Sequence, residues 1–154
     1  MGSLMDKFPH CINNNLRNHG ITKVLLINSD YEPAMILKKG LEKYGFEVYC
    51  CANVLTAIQD IEKTRRVNYE MILCDIQKCD TEYLLFAKQV REFSHTVKIF
   101  LLSPCEFEDV VIRNAIMAGV NEIIKKPISE EKLNIILQDY IDGIKNPLDS
   151  ALKL

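Results

Sequence analysis

Five short apolar runs, each cut off by polar residues and followed by a stretch with helical spacing, limit what this chain can fold into more than any other feature. KVLLI (Lys23 to Ile27), Phe46 to Cys50, Met71 to Cys74, VKIFLL (Val97 to Leu102) and Val120 to Ile124 are continuous rather than alternating. Strands buried on both faces read this way. Between them apolar residues recur at helical spacing. Tyr31 to Tyr44 carries Leu37, Gly40, Leu41 and Tyr44 and is closed by Gly45. Asn53 stands where it caps a helix bearing Val54, Ala57, Ile58 and Ile61. Tyr83, Phe86, Ala87 and Val90 mark a third helix; Phe107, Val110 or Val111, Ala115 and Ala118 mark a fourth, closed by Gly119. Ser129 caps a fifth, with Leu133, Ile136, Leu137, Tyr140, Ile141 and Ile144 on its stripe.

This alternation predicts an α/β protein: a doubly wound, five-stranded parallel sheet flanked by five helices, because right-handed crossovers stack helices on both faces. In such sheets, sites form in the crevice outside the carboxyl ends of the strands. The residues just past the strands are Asn28, Ser29, Asp30, Asp75, Ser103 and Lys126. A length of 154 residues suits one domain. Residues 22–145 are expected to form it, between a flexible N-terminal arm (1–21) and a short C-terminal tail (146–154).

A net charge of −2 gives no electrostatic reason to expect a nucleic-acid partner. No apolar run reaches the length of a bilayer span, and MGSLMDKFPH has no signal-peptide core, so a cytoplasmic protein away from membranes is expected. The six cysteines, Cys11, Cys50, Cys51, Cys74, Cys79 and Cys105, have the spacing of neither a zinc ribbon nor a disulfide scaffold. They are expected as free thiols of a reducing compartment. Cys74, Cys79 and Cys105 read as filler and loop thiols in preference to a redox switch. His10, His19 and His95 have no partner at ligand spacing and read as surface residues.

From about Lys23 to Tyr140 the chain resembles the receiver domain of two-component response regulators. Strand one ends in the polar cluster Asn28-Ser29-Asp30, strand three in Asp75, strand four in Ser103, and strand five in Lys126-Pro127. The resemblance implies a flavodoxin-like receiver fold with strand order 2-1-3-4-5 and a cis Lys126-Pro127 bond. It implies Asp75 as phosphoacceptor, Lys126 as the clamping cation and Ser103 as the sensing hydroxyl. It also implies Mg²⁺ held by Asp75 and the carbonyl of Gln77, with Asp30 as a recruited ligand. The sequence departs from the family where it matters for metal: Asn28 and Ser29 stand at the acidic-pair positions, so any Mg²⁺ site is expected to be weak. Lys78-Cys79 replaces a usual Met-Pro, Glu82-Tyr83 a usual Asp-Gly, Ile123 the switch aromatic, and Pro104 the small residue after the hydroxyl.

The resemblance implies a signalling protein and not an enzyme: a stand-alone receiver-like phosphorelay component. Its partners would be a histidine kinase or phosphotransfer protein, and a downstream protein met through the fourth-helix to fifth-helix face. The apolar stripe from Leu133 onward leaves a homodimer open. Two other readings compete. One is a phosphorylation-independent pseudo-receiver, in which Asp75 and Lys126 are a structural ion pair and Ser103 bonds locally. The other, weaker, is a flavodoxin-like redox protein, for which NSDYEP lacks the glycine of a phosphate-cradling loop.

Overall fold

The computed structural model describes residues 20–78 and 81–143. The arm up to residue 19, Ile144 with the tail, and the loop residues Cys79 and Asp80 lie outside the described residues. The elements run β1 (Lys23–Ile27), α1 (Tyr31–Glu42), β2 (Glu47–Cys51), α2 (Val54–Thr64), β3 (Met71–Asp75), α3 (Glu82–Arg91), β4 (Lys98–Ser103), α4 (Asp109–Ala118), β5 (Glu122–Lys125) and α5 (Glu130–Ile141). All strand pairs are parallel, in the order β2-β1-β3-β4-β5. No helix among the described residues is long and apolar enough to cross a membrane.

The strands read as continuous apolar runs because the sheet has a core on each face. Leu25, Ile27, Ile72, Cys74, Ile99 and Leu101 point to one side, under α2, α3 and α4. Val24, Leu26, Met71, Leu73, Phe100 and Leu102 point to the other, under α1 and α5. There the Phe100 and Tyr140 rings meet edge to face at 4.9 Å. The caps are the expected ones. Asn53 Oδ1 accepts from Thr56 N at 2.8 Å, and Ser129 Oγ accepts from Lys132 N at 3.1 Å. One reading is settled and one corrected. Of the alternatives Val110 and Val111, Val110 is 55% exposed and Val111 half-buried, and the fourth helix buries Ala115 and Ala118 as expected. Phe107 precedes that helix and packs against its core from the loop.

Two glycines let elements approach closely. Gly40, inside α1, has the Glu130 carboxyl group where a side chain would begin, which seats α5 against α1. Gly119 ends α4 at φ 113°, a left-handed conformation that favours glycine. Beside it Arg91 lies across four main-chain and side-chain acceptors. Its guanidinium donates to Gly119 O, Ser94 O, Val97 O and Asn121 Oδ1 at 2.6–3.2 Å. Burial lowers its pKa.

Gly119→Ala is expected to destabilise the fold by about 1–3 kcal/mol, through left-handed strain and contact with the Arg91 stem. Gly40→Ala displaces only the movable end of Glu130 and gains helix propensity, so stability is expected to stay within about 1 kcal/mol. Urea unfolding of the two variants checks the order.

Candidate functional site

Parallel pairing brings the nominated residues to one edge. Asp75 is the last residue of β3, opposite Leu102 of β4. Asn28 follows β1, the neighbour on the other side, and its N–H bonds Cys51 O at 3.0 Å, extending the ladder by one rung. Lys126 follows β5 and extends its ladder in the same way, donating its N–H to Ser103 O at 2.7 Å. The Lys126-Pro127 bond is cis, as expected.

At this edge Asp75, 9% exposed, has both carboxylate oxygens engaged. Lys126 Nζ donates to Oδ1 at 2.5 Å and to the Ile76 carbonyl at 3.0 Å. Asn28 Nδ2 donates to Oδ2 at 2.9 Å. The orientation of the Asn28 amide is fixed from both ends. Its Oδ1 accepts the Asp30 main-chain N–H at 2.9 Å and the Gln77 amide at 3.2 Å, while Asp75, when ionised, only accepts. Asn28 is therefore a hydrogen-bond partner of Asp75, a role that its reading as a lost acid had missed. Its position beside Asp75 across the β1–β3 pairing is the signal that points to it.

The other nominated residues stand apart from the carboxylate. Ser103 is fully buried but turned into its own loop, donating to Cys105 O at 2.7 Å and accepting from Cys105 N at 3.2 Å. This is the local bond that competes with a sensing role. Asp30 is exposed at the N-cap of α1, with no side-chain cap bond. Ser29 is exposed. Ile123 is half-buried and packs against the core beneath α2, α3 and α4. A hollow of about 620 Å³ lined by Thr22, Lys23, Glu70, Lys98 and Tyr140 opens at the opposite edge, away from every residue that topology nominates.

The donor set does not fit a divalent metal as it stands. Mg²⁺ needs oxygen ligands in near-octahedral array. Here Asp75 faces N–H donors on both oxygens, Asn28 presents its NH₂, and Gln77 directs its side-chain amide to Asn28. Among the described residues no three His, Cys, Asp or Glu side chains are grouped to hold a metal. The cysteines need one correction. Cys74 is the buried filler expected, its thiol pKa raised by burial, and Cys50 and Cys51 are free. Cys105, however, is disulfide-bonded, so it is not the free loop thiol that its spacing suggested.

The family model of the response regulator receiver domain matches residues 24–138. The chain is 22% identical over 118 residues to the transcriptional regulatory protein ZraR of Klebsiella oxytoca, covering 77% of this chain and 26% of that one. It is 28% identical over 133 residues to the transcription factor SKN7 of Saccharomyces cerevisiae, covering 86% and 21%. The chain thus spans well under half the length of either relative. Among solved structures, a two-component response regulator from Clostridium difficile superposes with a TM-score of 0.68 at 25% identity, covering 80% of this chain and 98% of that one.

Two outcomes are expected from this geometry. Lys126→Ala leaves a poorly exposed carboxylate with one partner and is expected to cost about 1–3 kcal/mol. In the Lys126→Ala, Asp75→Asn double variant much of that loss should vanish, which a double-mutant cycle by urea unfolding reads directly. Titration with Mg²⁺, followed by the amide shifts of Asn28, Asp75 and Gln77, is expected to show no saturation below the millimolar range. Tight saturable binding there would mean that Asp30 is recruited as a ligand.

Proposed function

The chain belongs to the response regulator receiver family, and on that premise we propose that Asp75 accepts a phosphoryl group from a histidine kinase or phosphotransfer protein and that output passes by contact with a downstream protein. Receiver domains work with such phosphodonors, and two-component signalling is the family's setting. The carrying observation is the pairing of Asp75 with Lys126, 51 residues apart in sequence and 2.5 Å apart in space. A carboxylate needs a neighbouring cation to offset the charge that gathers on the transferred phosphoryl oxygens. The role is that of a signalling component and not of an enzyme with a turned-over substrate.

The α4–α5 face is the proposed meeting place with the downstream protein, and Val110, Met117 and Ile135 stand exposed on those helices. The conformational step there is proposed to be small. Ser103 is bonded to Cys105, and Pro104 restricts the loop between them. Ile123 is stiff at χ1 and has no ring to swing between rotamers. A second reading, docking without phosphoryl transfer, draws on one observation: Asp75 is satisfied in the unmodified chain by Lys126 and Asn28.

Incubation with acetyl phosphate and Mg²⁺ is expected to add the mass of one phosphoryl group to the intact protein and nothing to Asp75→Asn. The absence of any mass gain would favour the second reading. Partner affinity through the α4–α5 face is expected to differ by less than about tenfold between modified and unmodified protein. Calorimetric titration of the two forms measures the difference.

A further inference from the structure

We propose that phosphoryl acceptance at Asp75 requires no divalent cation, because Asn28 fills the place and does part of the work that a metal would otherwise do. The inference rests on the acceptor reading above and concerns how that site handles charge.

In the unmodified site the single negative charge of Asp75 faces the single positive charge of Lys126, and every other side chain in contact is neutral. When one Asp75 oxygen attacks phosphorus, an O–P bond forms and the bond from phosphorus to the donor's nitrogen or oxygen breaks. That leaving atom keeps the electron pair of the broken bond: a nitrogen donor that is already protonated leaves as the neutral amine or imidazole, and the oxygen of acetyl phosphate leaves as acetate. Asp75 becomes an uncharged acyl group, and the phosphoryl group carries a charge of about −2. With Lys126 the modified site then holds one uncompensated negative charge. Two further carboxylates, at positions 28 and 29, would raise that excess to three and call for a divalent cation to restore it to one. Asn28 and Ser29 remove both the ligands and the charge that makes the cation necessary.

Asn28 also supplies directed hydrogen bonding. Its NH₂ already points at Asp75 Oδ2, held there by the Asp30 N–H and the Gln77 amide on its Oδ1. Lys126 Nζ approaches Oδ1 from the other side. Once the carboxylate has become an acyl phosphate these donors are free to meet the phosphoryl oxygens, as charge-assisted bonds. Because the Asp30 main-chain N–H is a donor, the amide cannot turn its oxygen toward a cation without losing that bond.

The test follows phosphoryl uptake from phosphoramidate by intact mass, in EDTA and in Mg²⁺, with Asp75→Asn as the blank. Wild type is expected to take up one phosphoryl group in EDTA, at a rate within about tenfold of that in Mg²⁺. Asn28→Asp sets a second carboxylate against Asp75, and its uptake is expected to become metal-dependent by more than about tenfold. Its folding is checked by circular dichroism, and the wild-type comparison stands even if that variant does not fold. Uptake by wild type only in Mg²⁺ overturns this inference and leaves the acceptor reading intact. Uptake in neither medium overturns both. An Asn28→Asp variant that folds and remains metal-independent overturns the role given to Asn28.

Discussion

Parallel pairing forces every strand of this sheet to end on the same edge, and the rest of the molecule is organised by that constraint. A parallel strand can be followed only by a crossover, here a helix each time, and each crossover leaves from the same side. The main-chain ladder runs one residue past the ends of β1, β3 and β5, through Asn28, Ile76 and Lys126. Polar residues are therefore held by main-chain bonds at a defined height above a dry core. Asp75 has a fixed position because β1 and β4 flank its strand, not because its own neighbours in sequence fix it.

That rigidity makes the identity of a single neighbour decisive. An asparagine beside Asp75 converts what would be mutual repulsion of two carboxylates into a hydrogen bond. The edge then carries one anion and one cation in contact, with the Asn28 amide on the other carboxylate oxygen. The site is held still from three strand ends at once, β1 through Asn28, β3 through Asp75 and β5 through Lys126.

Much of this was legible in the amino-acid pattern. Two-sided burial and the gathering of Asp75 and Lys126 at one edge follow from five apolar runs and the rule for where crevices form, whereas strand order and the pairing of those two residues came with the family resemblance. Asn53 and Ser129 were legible because a capping bond is local, spanning three residues. The strand ends were misread by a residue or two, since Asp75, Ser103 and Lys125 belong to their strands through pairing with a neighbour and not through their own apolarity. Helical spacing alone left Val110 and Val111 undecided. The direction of the Asn28 amide and the disulfide at Cys105 leave no sign in linear spacing, whereas the local bond of Ser103 was among the readings its position allowed.

The Gly40–Glu130 contact has a mechanical consequence. α1 leads away from Asn28, and α5 leads away from Lys126. The two donors that grip Asp75 are thus the heads of two rods, and the rods rest on each other where α1 carries no side chain. The seam between the rods lies on the sheet face opposite α4, so the two residues that grip Asp75 are carried by helices sharing one side of the sheet.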